Sequence, residues 1–219
     1  MSTLSFIEKE CANCGAVNQF GESGIMSFNT PDGLDGNPGN LTPLYTAISI
    51  CPKCHYASPD ITTIDDNVKA IVTSQQYQQL ASNQGVHELV RKYISWAFTQ
   101  IRIGNPCEAA RTMLYATWLS EQYDEANISS SCRLKAIELM SQCRTSGGNY
   151  ELTRGKEIIT MVDLYRREGA FADALDIVNS ALGVDKLSQD DEFILSYEKK
   201  LCEEQNSKYA TIRDAELHL

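Results

Sequence analysis

Two short stretches, Cys11-Ala12-Asn13-Cys14-Gly15 and Cys51-Pro52-Lys53-Cys54-His55, decide how the first quarter of this 219-residue chain folds. Each is a C-x-x-C knuckle, in which two thiolates turn toward one ion while backbone N–H groups point at the sulfurs. A glycine after the second cysteine eases that turn. Four thiolates from two such pairs close a tetrahedral site, so Cys11, Cys14, Cys51 and Cys54 are the expected ligands of one structural Zn2+. Zinc binding requires the thiols to lose their protons and contributes folding free energy on the order of 10 kcal/mol in small peptides. That is enough to hold together a module with little apolar core, and residues 1–62 read as such a zinc-ribbon-like module.

The 36 residues between the pairs exceed the usual ribbon spacing of about 15 to 20. Residues 29–43, Asn-Thr-Pro-Asp-Gly-Leu-Asp-Gly-Asn-Pro-Gly-Asn-Leu-Thr-Pro, supply the reason: almost all are turn formers, so the segment is a loop insertion. Short strand-like runs flank it at 24–28 and 45–50, and these are the expected ribbon strands. Three other chemistries share the pattern. Cys51-Pro52-Lys53-Cys54-His55 has the spacing of c-type haem attachment, but that needs an exported chain and an axial partner. A thioredoxin-like dithiol needs a strand–helix context that does not follow here. An iron–sulfur cluster uses the same four thiolates and stays open, with structural zinc the default. His55 is expected beside the knuckle rather than on the ion.

The other cysteines are scattered. Cys132, Cys143 and Cys202 fall in helical patterns and read as small buried hydrophobes. Cys107, in Asn105-Pro106-Cys107-Glu108, stands in the first turn of a helix, which lowers a thiol's pKa, although no histidine accompanies it.

From about residue 65 onward the chain reads as helical. Val86, Leu89, Val90, Tyr93, Ile94, Ala97, Phe98 and Ile101 recur at the spacing of one helix face. Gly104-Asn105-Pro106 ends that helix and begins another over 106–123. Further helices are expected at 74–81, at 130–144 before Gly147-Gly148, around 158–165 before Gly169, at 171–182, and after Ser188. Asp65-Asp66 and Asp190-Asp191 read as helix starts. Tyr93, Ala97, Gly104, Ala109, Met113 and Ala116 reappear 65 residues later as Ile158, Val162, Gly169, Ala174, Val178 and Ala181. That period is nearly two units of about 34, and large–small–Gly–Ala spacing resembles the tetratricopeptide repeat. An ordinary helical bundle is the plainer alternative.

Taken together, the chain resembles an uncharacterised bacterial family in which a paired C-x-x-C module precedes a tetratricopeptide-like helical domain. The resemblance lies in Cys11-Ala-Asn-Cys14-Gly15, in Pro43-Leu44-Tyr45 leading to Cys51-Pro52-Lys53-Cys54-His55-Tyr56-Ala57, and in Leu164-Tyr165-Arg166-Arg167-Glu168-Gly169. His55 stands where the family usually has glycine, and the loop at 29–43 replaces the charged residues such proteins carry between the pairs. The fold expected is therefore mainly α, with the small β module at 1–62 and a helical array over 63–219. No biochemical activity comes with the resemblance.

Composition narrows the function. Hydrophobic residues make up 42% of the chain and its net charge is −10, which is globular and acidic. No stretch approaches the roughly 18 apolar residues of a membrane span, and the first ten residues lack the regions of a signal peptide, so a cytoplasmic protein is expected. Residues 1–60 hold only Lys9 and Lys53 against six acids, which disfavours nucleic-acid contact through the knuckles. No G-x-S-x-G, phosphate-binding Gly-Lys, H-E-x-x-H or dinucleotide glycine pattern is present, and a closed four-thiolate site leaves no open catalytic position.

A non-catalytic adaptor is thus the first reading, a nucleic-acid-associated zinc ribbon the second and an enzyme of unrecognised type the third. Residues 91–167 carry eleven Lys plus Arg against eight acids, whereas 168–219 carry five against twelve. By similarity to tetratricopeptide arrays, the groove is lined from the first helix of each pair, which places Arg91, Phe98, Arg102, Lys156 and Arg166 toward it. That face is expected to receive a protein, an acidic peptide, a second copy or the chain's own acidic tail. The bland alternative is a set of solvated basic side chains on helix surfaces.

Overall fold

The structure is a computed structural model that describes residues 4–23, 32–151, 153–184 and 187–218. It is mainly helical, with a small β region at the amino-terminal end. Each knuckle is the turn of an antiparallel hairpin. Strands β1 (Leu4–Glu10) and β2 (Val17–Ser23) flank the first, in register from Glu10 opposite Val17 to Leu4 opposite Ser23. A helical turn, α1 (Leu44–Ala47), leads into β3 (Ser49–Ile50), which pairs across the second knuckle with β4 (Ala57–Ser58).

These strands differ from the expected ones. Of the run 45–50, only Ser49 and Ile50 pair as a strand, because Pro43 stands at φ −58° ahead of α1 and Leu44 turns inward to 1% exposure. A proline ring fixes a helical φ, so the chain enters a helical turn before it can extend. The run 24–28 lies outside the described residues. The part of the loop at 32–43 that is described forms turns, apart from a single bridge between Gly33 and Thr211.

Helices follow as α2 (Asp66–Val72), α3 (Gln75–Ala81), α4 (Glu88–Arg102), α5 (Pro106–Gln122), α6 (Ala126–Thr145), α7 (Arg154–Arg167), α8 (Phe171–Val184), α9 (Gln189–Glu203) and α10 (Ile212–Leu217). Their starts are written locally: Asp65, Ser74, Asn105, Thr153, Ser188 and Thr211 each accept a backbone N–H of the first turn, and each such cap contributes about 1 kcal/mol. Among the described residues no helix is long and apolar enough to cross a membrane.

The 65-residue correspondence extends to the backbone. At the end of α4, Ile103 N, Gly104 N and Asn105 N donate to Thr99 O, Ile101 O and Gln100 O. At the end of α7, Glu168 N, Gly169 N and Ala170 N donate to Leu164 O, Arg166 O and Tyr165 O, the same three bonds 65 residues later, and α5, α6 and α9 end with this pattern as well. Gly104 and Gly169 stand at φ +79° and +75°, a left-handed conformation in which glycine carries no Cβ penalty. Helix α5 starts at residue 106 and α8 at 171, again one period apart.

The core is continuous across the knuckles and the first helices. Cys11, Phe20, Cys51, Tyr56 and Ile61 pack with Val68, Val72, Tyr77 and Ala81 of α2 and α3. A larger cluster joins Leu44, Ile48 and Ala57 to α4, α5 and α6, and a third lies among α7, α8 and α9.

One cysteine expectation is corrected. Cys107 and Cys143, read above as a lone helix-terminal thiol and a buried hydrophobe, form a disulfide with Cα atoms 4.8 Å apart. The antiparallel α5–α6 pair brings the start of one helix beside the end of the other. Gly148 leaves room for the bridge, since a Cβ there would collide with Cys107 Sγ. Cys132 and Cys202 are buried free thiols, as expected.

Candidate metal centre and the helical faces

The four sulfurs of Cys11, Cys14, Cys51 and Cys54 lie within 4.8 Å of one another. Cys11 Sγ is 3.6 Å from Cys54 Sγ, and Cys14 Sγ is 3.8 Å from Cys51 Sγ. A tetrahedral ion with metal–sulfur bonds of about 2.3 Å sets its sulfurs about 3.8 Å apart; the Cys11–Cys54 and Cys14–Cys51 separations match that value, and all four sulfurs are close enough to share one ion. Hairpin geometry makes this possible. Gly15 N donates to Cys11 O at 2.8 Å and Cys11 N to Ala16 O at 2.9 Å; His55 N donates to Cys51 O at 2.9 Å and Cys51 N to Tyr56 O at 2.8 Å. The two knuckles are therefore the same structure, 40 residues apart. Gly15 and His55 hold the same left-handed place, at φ +69° and +58°.

Burial of these thiols favours their protonated form. It pushes Cys11 up to about 12 and raises Cys54 as well. Cys14 is shifted down: the backbone N–H of Ala16 and the neighbouring sulfurs outweigh its slight burial. An incoming cation must displace at least the Cys11 and Cys54 protons, the ordinary coupling of metal binding to proton release.

Helix α3 clamps the second knuckle. Tyr77 Oη donates to His55 O at 2.9 Å and accepts from Ala57 N at 2.9 Å. Gln78 Nε2 donates to Cys54 O at 3.0 Å and to Val72 O at 2.7 Å, while its Oε1 lies 3.4 Å from His55 Nδ1. His55 thus stands beside the knuckle and outside the sulfur cluster. Ala12 N donates to Ile61 O at 3.0 Å, tying the first knuckle to the strand end of the second.

The residues expected in a helical groove have separate fates. Arg91 is half-buried and donates to Asn83 O at 2.9 Å. Phe98 meets Tyr77 edge-on at 6.0 Å, and the guanidinium of Arg102 lies 5.1 Å from the Phe98 ring while bonding Gln76. These three seat α3 and its connection against α4. Lys156 is exposed at a cavity of about 460 Å³ that Ile159 and Ile194 also line.

Arg166 corrects the groove reading, because it is 0% exposed. Its guanidinium bonds Glu198 Oε2 at 2.6 Å, Asp163 Oδ1, and the carbonyls of Asn206 and Lys208, each at 2.7 Å. All three nitrogens are committed inside the protein, which is how a buried cation is tolerated. Burial and the neighbouring Asp163 hold Glu198 well above the usual carboxylate range, against the pull of Arg166.

Asp35 was not singled out by its sequence. It is wholly buried, accepts from Trp118 Nε1 at 2.7 Å and from Asn37 N at 3.1 Å, and lies 3.4 Å from Arg167 Nη1. Burial, with Asp163 nearby, pushes it up to about 7, although Arg167 pulls the other way. The available signal was Leu34, one of two leucines in a loop of polar and turn-forming residues, standing next to an acid.

Comparison with protein-family models, with curated proteins and with solved structures gives no match for this chain. The functional reading therefore rests on the site's own geometry.

Proposed function

We propose that this chain is a non-catalytic interaction protein in which one Zn2+, held by Cys11, Cys14, Cys51 and Cys54, has a structural role and a tetratricopeptide-like array of helices presents a surface to another protein. The observation that carries the metal part is the set of four sulfurs gathered within 4.8 Å of one another, contributed by two knuckles with the same backbone hydrogen bonds. Four thiolates saturate a tetrahedral ion, which is the arrangement of structural rather than catalytic zinc. The starts of α5 and α8 one 65-residue period apart, each following a left-handed glycine turn, support the array reading. Lys156 is exposed at a cavity that Ile159 and Ile194 line together with Glu151, Asp190 and Asp191, which supports a partner of mainly apolar character.

Elemental analysis of untagged protein tests the metal: one zinc per chain is expected, and an iron chromophore or a metal-free protein with accessible thiols rejects the assignment. The adaptor reading is tested by in-cell cross-linking followed by mass spectrometry, with and without Lys156→Glu. A single stoichiometric partner lost in the variant, with zinc content unchanged, is expected. Recovery that depends on nucleic acid would replace this reading with the nucleic-acid one.

A further inference from the structure

The segment between the cysteine pairs is laid across the helices as a ligand would be. Between residues 32 and 37 it folds into a compact turn in which Asp32 N and Gly33 N both donate to Asn37 O at 2.8 Å. Ile212 N donates to Asp32 O at 2.8 Å and Leu34 N to Ala210 O at 3.2 Å, giving a short antiparallel ladder with the chain entering α10. Leu34, 3% exposed, fills a pocket made by Tyr197, Leu201, Ala210 and Ala215. Asp35 enters the array to meet Trp118 of α5 and Arg167 of α7, and its carbonyl lies 3.4 Å from Thr160 Oγ1. Only glycine fits at 33, where a Cβ would collide with Tyr209 Oη. Backbone pairing for affinity with side-chain pockets for specificity is how extended segments dock by strand addition.

The turn is also a partition. On one side lies a cavity of about 470 Å³ reached by Asp32, Asn37, Trp118 and Arg167; on the other lies the cavity of about 460 Å³ with Gly33, Leu34 and Lys156 in its wall. Lifting residues 32–37 would merge the two into one groove across α5, α7 and α9.

We infer that this groove is a docking site for a protein segment presenting a Gly-Leu-Asp turn, and that residues 32–37 occupy it in cis. The inference rests on the interaction-protein reading and names the chemistry of its partner. A tethered segment acts at an effective concentration in the mM range. A free competitor therefore sees a site that is mostly closed, and its apparent affinity falls by the closed fraction.

The test is a fluorescent peptide of residues 32–42, titrated by anisotropy into the full chain as purified. Wild type and Leu34→Ala/Asp35→Ala are compared, with peptides carrying alanine for Leu34 or for Asp35 as controls. The variant is expected to bind the native peptide at least about tenfold more tightly than wild type does, and both control peptides are expected to bind more weakly. No binding by a variant that keeps its helical circular dichroism, equal affinity in both proteins, or no loss with either control overturns the inference. If the double variant does not fold, Gly33→Ala displaces the same turn and takes its place, with the same outcomes. A concentration-dependent dimer of the latched-open variant would identify a second copy as occupant and overturn the partner assignment. Since the peptide is the chain's own, the result stands whether or not cross-linking finds a cellular partner.

Discussion

The knuckle region and the carboxyl-terminal end of α7 face the same physical problem and solve it in opposite ways. Both gather polar groups where water is scarce. At the knuckles, four sulfurs converge within 4.8 Å of one another, an arrangement suited to an ion from outside the chain. Around α7, Arg166 and Arg167 are matched by Asp163, Glu198, Glu121 and Asp35, all supplied by the chain itself. On the proposed reading, one region depends on a bound ion, and the other on every partner being present at once. The contrast predicts where each perturbation acts.

The largest effect is expected from the metal. Cys54→Ser, or a strong chelator, removes a contribution on the order of 10 kcal/mol seen in small zinc modules. Amide exchange should then accelerate across β1–β2, β3–β4 and α2–α3, which share one apolar cluster, while α7, α8 and α9 keep their protection. Uniform loss across the chain would show that the two regions fold as one unit and would end the contrast.

Next in size is Arg166→Met. Removing a buried cation strands its acids, and broken buried pairs cost about 3–5 kcal/mol. Urea unfolding should register that loss with zinc content unchanged, since Arg166 lies with α9 and the chain beyond it and not with the knuckles. A loss below about 1 kcal/mol would mean that the acids are neutral without their arginine.

Asp35 adds a pH dependence to the same network. Its folded value of about 7 lies above its ordinary 3.8, so between those limits the folded chain holds a proton that the unfolded chain has released. Stability from this group therefore falls as pH rises from about 4 to 7 and is level above that, with a slope of at most about 1.4 kcal/mol per unit. The difference between wild type and Asp35→Asn, measured at pH 5 and at pH 8 with metal content monitored, isolates it. The wild type should lose ground to the variant as the pH rises, and a difference that does not change with pH removes Asp35 from the titration.

How much of this was legible follows from the range of each signal. Helix ends such as Asn105-Pro106, Gly169 and Ser188 are decided by neighbours within four residues, and they fall where the pattern puts them. Helix α6 starts at Ala126 rather than 130 because nothing local marks its first turn: Glu125 makes no side-chain cap. The hairpin β1–β2 escaped notice because its strands are short of buried residues, with Phe6 64% exposed, so little apolar alternation remains to read. The sulfur cluster was legible because spacing alone encodes a knuckle. Arg166 was misplaced because its partners other than Asp163 lie 32 to 42 residues away, beyond any periodicity, and the Cys107–Cys143 pair, 36 residues apart, is equally out of reach. An arginine on a helix reads as solvated until the chain that covers it is known.

The smallest effect is also the one that joins the two regions. Tyr77 Oη is the only hydroxyl among the described residues that bonds the second knuckle on both sides, to His55 O and to Ala57 N. Tyr77→Phe keeps the ring in its cluster and its edge contact with Phe98 while leaving a buried carbonyl and N–H without their partner. The expected cost is about 1–3 kcal/mol. Because both bonds span the residues that follow Cys54, the loss should appear as faster metal release to a competing chelator, with melting of the array unchanged. If the release rate stays at the wild-type value while the whole chain melts earlier, Tyr77 serves the packing of α3 on α4 instead. The knuckle then holds its shape through the metal and its own hairpin alone.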